Sequence, residues 1–166
     1  MEEIEGMSMT SELKQQFTLK ISQANKTRLV VILYEMMLVY IEEARQANEA
    51  GDQEAFRKGI KNAKGCLHEL MASLHLEYPV AENLMQLYVY SDRELTRADL
   101  RNSRTELAHV EEIMSRLHAA YETVSKQDES SPVMANTQTV YAGLTYGRNN
   151  LNESLADQGS SRGFRV

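Results

Sequence analysis

From Leu29 to Ile41 the chain reads Leu-Val-Val-Ile-Leu-Tyr-Glu-Met-Met-Leu-Val-Tyr-Ile, thirteen positions with Glu35 as the one charge. On a helix this run is apolar nearly all round for more than three turns, whereas a bundle helix needs only a stripe of apolar side chains facing its core. On either side of it, between Thr10 and Val124, apolar residues recur at helical spacing, and Pro79 is the one proline in that interval. The pattern predicts an all-α body.

A first short helix starts at Thr10 or Ser11, carries Leu13, Phe17 and Ile21 on one face, and ends before Asn25, a good N-cap residue. The second is expected over Asn25 to Ala50, stopping at Gly51. The third, from Asp52 to about Glu77, spaces Phe56, Ile60, Ala63, Leu67, Leu70 and Leu74 by alternating threes and fours, a heptad-like stripe. Pro79 suits the first turn of a fourth helix that uses Leu84, Leu87, Tyr88 and Leu95 and runs to about Ala98. The fifth begins at Asn102 or Ser103 and sets Leu107, Val110, Met114, Leu117, Tyr121 and Val124 on one seam. Four long helices with short connections predict an antiparallel four-helix bundle, with the short N-terminal helix as an accessory.

Charge and composition divide the chain in two. Residues 1–125 hold 20 acidic and 14 basic side chains, which is the whole of the net charge of -6, and residues 126–166 are neutral. The predicted organisation is therefore a helical domain over 1–125, then a linker and C-terminal extension over 126–166. Within the extension, Gln127 to Pro132 has linker composition, whereas Val140, Tyr141, Leu144, Tyr146, Leu151 and Leu155 are apolar residues set among polar ones. Asn150 followed by Glu153 has capping-box spacing, which predicts a short helix over Leu151 to Asp157. Residues 136–157 are expected to pack back on the protein's own surface.

Little in the chain suggests catalysis. Glu106-Leu-Ala-His109 matches the Glu-x-x-His unit of bundle di-metal sites, but such a site needs a second unit, and His68, His75 and His118 have Gly65, Ala72 and Ser115 three positions before them. Glu106 and His109 are read as solvated helix residues, and His68 and His75 as residues flanking the third helix's core stripe. Cys66, the one cysteine, has no CxxC partner and reads as a buried small apolar residue. Neither a glycine-rich phosphate loop nor a Gly-x-Ser-x-Gly elbow is present. The expectation is no catalytic residue, no metal and no cofactor. Net acidity argues against nucleic acid as a partner, the acidic start is unlike a secretory signal, and no apolar run reaches the roughly 18 residues of a membrane span. A cytoplasmic protein without membrane insertion is expected.

The second helix carries the functional signal. With Leu29, Ile32, Leu33, Met36 and Tyr40 assigned to the core, Val30, Tyr34, Met37 and Ile41 face elsewhere and need a cover. Three covers are available: the first helix or tail of the same chain, a homodimer contact, or a partner's amphipathic helix in an apolar groove. Methionines such as Met36, Met37, Met71 and Met85 suit a partner surface because the thioether side chain adapts its shape.

Residues 24–35, Ala-Asn-Lys-Thr-Arg-Leu-Val-Val-Ile-Leu-Tyr-Glu, resemble the opening of the longest helix in the flagellar export chaperone FliS family. Asn25-Lys26 stands where that family has Ser/Thr-Pro, which keeps an N-cap. Residues 44–52 resemble the helix end and Gly-Asp turn. Glu69-Leu70-Met71-Ala72-Ser73-Leu74 matches the Glu-Leu-x-x-Ser-Leu element, and Ala81-Glu82-Asn83-Leu84 with Leu87-Tyr88 matches Ala-x-Asn-Leu-x-x-Leu-Tyr. The resemblance covers about Leu13 to Val124. It implies a chaperone that binds the C-terminal segment of flagellin, prevents premature polymerisation and delivers the subunit to the flagellar type III export apparatus. It also implies that no catalysis takes part. The expected partner-binding groove is the outer side of the second helix with its neighbours: Val30, Tyr34, Met37 and Ile41, joined by Met71, Met85 and Tyr88. Tyr34 is the one carried by the family motif; helical phase supplies the rest. The alternative is a structural homo-oligomer built through the second helix.

Overall fold

The helix starts follow the caps. A computed structural model describes residues 6–134 and contains α1 (Ser11–Gln23), α2 (Lys26–Glu49), α3 (Gln53–Ala72), α4 (Pro79–Arg101) and α5 (Thr105–Gln127). Thr10, Asn25 and Asp52 each accept a hydrogen bond from the backbone N–H three residues on, at 3.2, 2.8 and 3.0 Å, and so satisfy one of the open donors at each helix start. Gly51, with φ of 73°, reverses the chain after α2. Asn102 does the same after α4 with φ of 49°: its N–H returns to Asp99 and that of Ser103 to Ala98, so orphan carbonyls at the helix end are met.

Two boundaries differ from the expectation. The helix expected to reach Glu77 stops at Ala72, where Ser73 caps it with its N–H bonded to the carbonyl of Glu69 and its hydroxyl to that of Leu70. Further on, Pro79 disfavours helical backbone at Tyr78, which is extended with φ of -98° and ψ of 134°. Residues 73–78 form the connection instead. At the other end of α4, the left-handed turn at Asn102 allows the helix to continue past Ala98 to Arg101.

Helices α2 to α5 each pack on their neighbours in sequence, and α5 closes the ring on α2; α1 lies against α2 alone. Short reversals between successive helices make this the antiparallel four-helix bundle that the seams predict. Its core includes Tyr34, Met37 and Ile41 of α2, Leu67 and Leu70 of α3, Leu95 of α4, and Leu107, Val110 and Met114 of α5. A second cluster, Phe17, Ala24, Ile32 and Val39, lies between α1 and α2, with Leu13, Ile21, Leu29 and Met36 packed against it.

That second cluster explains the apolar run and corrects its phase. Tyr34, Met37 and Ile41, expected on the outer side of α2, point into the bundle and are sealed there at 0 to 1% exposure. Leu29 and Ile32, expected in the bundle core, lie under α1. A helix with apolar residues on both faces carries no internal mark of which face is which, and the packing of α3 and α5 decides it. Of the three covers, the one present on the outer face is the chain's own first helix. Gly6 and Met9, ahead of α1, donate backbone N–H groups to the carboxylates of Glu42 and Glu43 on α2, which fixes where α1 begins.

α2 and α3 approach most closely at Gly59. A Cβ there would stand 2.9 Å from the Cβ of Ala44 and 3.0 Å from the carbonyl oxygen of Tyr40, both on rigid helix. Gly59→Ala ordinarily gains about 1 kcal/mol of helix propensity; here the backbone contact outweighs it. Gly59→Val is expected to cost about 2–3 kcal/mol through overpacking, read as a lower urea midpoint at unchanged slope.

Candidate functional site

The seams of the bundle do not close at both ends. Along α5, Leu107, Val110 and Met114 are buried, Leu117 and Tyr121 are half-buried, and Val124 is 53% exposed. The same end of the bundle holds the start of α2, the end of α3 and the start of α4. It opens as a trough with two adjoining cavities. The larger, about 600 Å³, is lined chiefly by Ile21, Leu29, Val30, Leu33, Ala72 and Tyr121, with Lys26, Glu69 and His75 among its polar residues. The smaller, about 210 Å³, adds Leu74, Tyr78, Val80, Leu84 and Tyr88, and shares Val30, Ser73, His75 and Tyr121 with the first. Leu76 and Tyr78 on the connection and Val80 in the first turn of α4 are each more than 60% exposed.

Three tyrosines build the floor. The hydroxyls of Tyr34 and Tyr88 hydrogen-bond to each other in the core. The Tyr121 ring lies 5.7 Å from that of Tyr34, tilted by 58°, a spacing in the favourable range for aromatic pairs. Burial raises the pKa of the Tyr34 phenol far above its ordinary value and pushes that of Tyr88 up to about 12.

One rim is strapped down by the segment after α5. The side-chain amide of Asn25 donates to the carbonyls of Asp128 and Ser130 at 3.1 and 3.3 Å, and the Thr27 hydroxyl donates to the Asp128 carboxylate. The N–H of Val133 donates to the carbonyl of Ala24 at 3.0 Å, and Val133 itself lines the larger cavity. The stretch from Gln127 to Pro132, of linker composition by sequence, is thereby held against the start of α2 through Asp128 and Ser130, and Val133 just beyond it is held there too.

Beside the trough Glu35 joins three helices. Lys20 of α1 and His118 of α5 each lie 3.3 Å from its carboxylate, while Arg28 pairs with Glu122 at 2.9 Å. Burial pushes the Glu35 carboxyl up in pKa, but His118, Lys20 and Arg28 together outweigh this and hold it below its ordinary value. Glu35, His118 and Glu122 are close enough to share a cation. With Lys20 and Arg28 already against those carboxylates, the cluster functions as an ion-pair network.

The Glu-x-x-His unit needs a correction. Glu106 is buried at 6% exposure beside Arg101, and His109 binds Glu94 at 2.9 Å, which is itself 3% exposed. Glu106 is therefore covered where solvent was expected, whereas His109 is exposed as expected, its side chain 51% accessible while it bonds to the buried Glu94. Cys66 is buried, and burial pushes its thiol up to about 11, which removes thiolate reactivity near neutral pH. His68 is exposed and pairs with Asp92 at 3.1 Å.

Of the seven groove residues expected from sequence, two line the trough: Val30 lines both cavities and Tyr88 the smaller. Tyr34 is closed in the core beneath, where its ring packs against that of Tyr121. Met37 and Ile41 are closed inside the core, and Met71 packs half-buried against it. Met85 lies apart, in a shallow depression on the outer side of α4 with Val89 and Tyr90. Tyr78 and Val80 were missed, although apolar residues flanking the proline of a connection were a signal; Leu87, expected in the α4 stripe, is 38% exposed.

Residues 9–128 match the family described as flagellar protein FliS. The chain belongs to the FliS family. The flagellar secretion chaperone FliS of Bacillus subtilis (strain 168) is 29% identical over 91 residues, 55% of this chain and 68% of that protein. The elements that carry the FliS resemblance converge on the trough: Val30 and Leu33 from the opening of α2, Ser73 and Leu74 from Glu-Leu-x-x-Ser-Leu, and Ala81, Leu84 and Tyr88 from the α4 element. Among the described residues no helix is long and apolar enough to cross a membrane.

Proposed function

We propose that this chain is a cytoplasmic flagellar export chaperone whose trough takes the C-terminal segment of flagellin as an amphipathic helix. The observation that carries this reading is the convergence of the FliS-type sequence elements on one open apolar end of the bundle. Capture keeps the flagellin segment from premature polymerisation until the subunit reaches the type III export apparatus. The trough's chemistry suits a client that folds on binding. Such a client loses conformational entropy, so affinity has to come from apolar burial, at about 25 cal/mol per Å². The half-buried Tyr121 and the exposed Tyr78 and Val80 provide that surface, with Lys26 and Glu69 among the residues lining the larger cavity. No bond is made or broken, and the reading requires no cofactor.

Exposed positions make the test clean, because changing them leaves the core intact. Tyr78→Asp combined with Val80→Asp is expected to weaken binding of a flagellin C-terminal peptide at least about tenfold, the equivalent of roughly 1.4 kcal/mol. Titration calorimetry reads the affinity, and the thermal midpoint by circular dichroism should stay within about 2 °C of the parent. Unchanged affinity in this folded variant would remove the trough as the client site.

A further inference from the structure

The trough is open in the described residues, and the chain that follows them starts at its rim. Val133 lines the larger cavity, and its N–H is bonded to the carbonyl of Ala24, at the α1–α2 junction. Asn25 and Thr27 hold Asp128 and Ser130 just upstream, so the direction in which the chain leaves α5 is fixed by several independent hydrogen bonds. Another 32 residues of sequence follow Met134. They carry Val140, Tyr141, Leu144, Leu151 and Leu155 in a polar, nearly charge-neutral setting.

We propose that residues 136–157 of the same chain occupy the trough when no client is bound, with Val140 to Leu144 entering first. Val140 lies six positions after Met134, a stretch that can span about 20 Å, so the first apolar group starts within reach of the cavities. Tethering at that distance gives an effective concentration in the millimolar range. A contact with an intrinsic dissociation constant of about 0.1 mM is then mostly formed, whereas a second copy at micromolar concentration would rarely compete. The segment is matched to the site in chemistry as well: three leucines, a valine and a tyrosine meet walls of Val30, Leu33, Leu74 and Tyr121, and the nearly neutral tail meets no repulsion from the acidic body. A client must displace the tail, so the tail sets a threshold affinity for capture and shields an adhesive surface in the meantime. The proposal needs only the trough and does not depend on what the client is.

Photocrosslinking of the full chain without flagellin tests this. With Tyr78→p-benzoylphenylalanine at the rim, irradiation of dilute protein is expected to give intramolecular crosslinks that mass spectrometry maps to residues 136–157. Adding Leu144→Asp and Leu151→Asp in the tail should lower that yield by roughly tenfold, as burial of leucine is replaced by a charge, with the thermal midpoint of the bundle unchanged. Crosslinks confined to the bundle, crosslinks between two copies, or a yield unaffected by the tail substitutions would each overturn the assignment. Because no flagellin is present, failure here leaves the client reading standing, and failure of the peptide titration leaves this one standing.

Discussion

Met37→Asp is expected to unfold the bundle. Met37 is fully buried in the main core, on the face of α2 turned toward the bundle. A carboxylate placed there has no cation partner among the core residues, so it either ionises against a large desolvation cost or takes up a proton and remains a poorly satisfied polar group. Either route, added to the lost packing of the thioether, costs about 4 kcal/mol or more. Against a typical domain stability of about 5–15 kcal/mol, that takes most of the margin. Thermal melts followed by circular dichroism should show a midpoint lowered by well over about 10 °C, or no cooperative transition. Met37→Leu, which nearly conserves volume, should cost less than about 1.5 kcal/mol. A variant Met37→Asp that melts like the parent would mean that α2 is turned the other way, with Met37 on a surface. The helical phase written into the sequence would have placed this residue in the groove and predicted a folded protein that no longer captures its client. Burial reverses that expectation.

The reversal shows where legibility stops. Caps at Thr10, Asn25 and Asp52, the glycine turn at Gly51 and the proline at Pro79 are local chemistry, and they place four of the five helix starts within a residue or so. Stripes on α3 and α5 have one apolar face each, and the residues at their middles are buried as expected. α2 is different: it has two apolar faces, one for the bundle and one for α1, and periodicity alone cannot rank them. The site was harder still, because it arises from incompleteness. Leu74, Tyr121 and Val124 continue the core stripes in sequence yet lie beyond the point where the facing helices cover them, a consequence of α3 ending at Ala72. Nothing at Tyr121 itself distinguishes it from Met114 two turns earlier. What sequence did supply was the family-type elements around Tyr34, Ser73 and Tyr88, and these are the parts that meet at the trough.

The tyrosine pair under the trough should make the fold sensitive to alkali. Tyr34 and Tyr88 are 0 to 1% exposed and hydrogen-bonded to one another, and burial raises both phenol pKa values above the ordinary value near 10. The folded state therefore keeps protons that the unfolded chain releases above pH 10. Stability is full below that pH and falls as pH rises, because the unfolded state binds fewer protons over this range. Each suppressed ionisation costs about 1.4 kcal/mol per pH unit, so the pair removes about 5 kcal/mol between pH 10 and 12, enough to unfold many domains of ordinary stability. Absorbance of tyrosinate near 295 nm should then rise cooperatively with loss of helix instead of following the gradual curve of exposed phenols. Replacing both hydroxyls, Tyr34→Phe with Tyr88→Phe, removes two groups that satisfy each other and should be close to neutral at pH 7 while moving the alkaline midpoint upward. Tyr34→Phe alone strands the Tyr88 hydroxyl in the core and should cost about 1–3 kcal/mol at neutral pH. If the double variant unfolded at the same alkaline pH as the parent, the pair would not be the alkaline trigger. The rings, which carry Tyr121 at the mouth of the trough, are unchanged in the double variant, so client affinity at pH 7 is expected to follow the rings and to be indifferent to the hydroxyls.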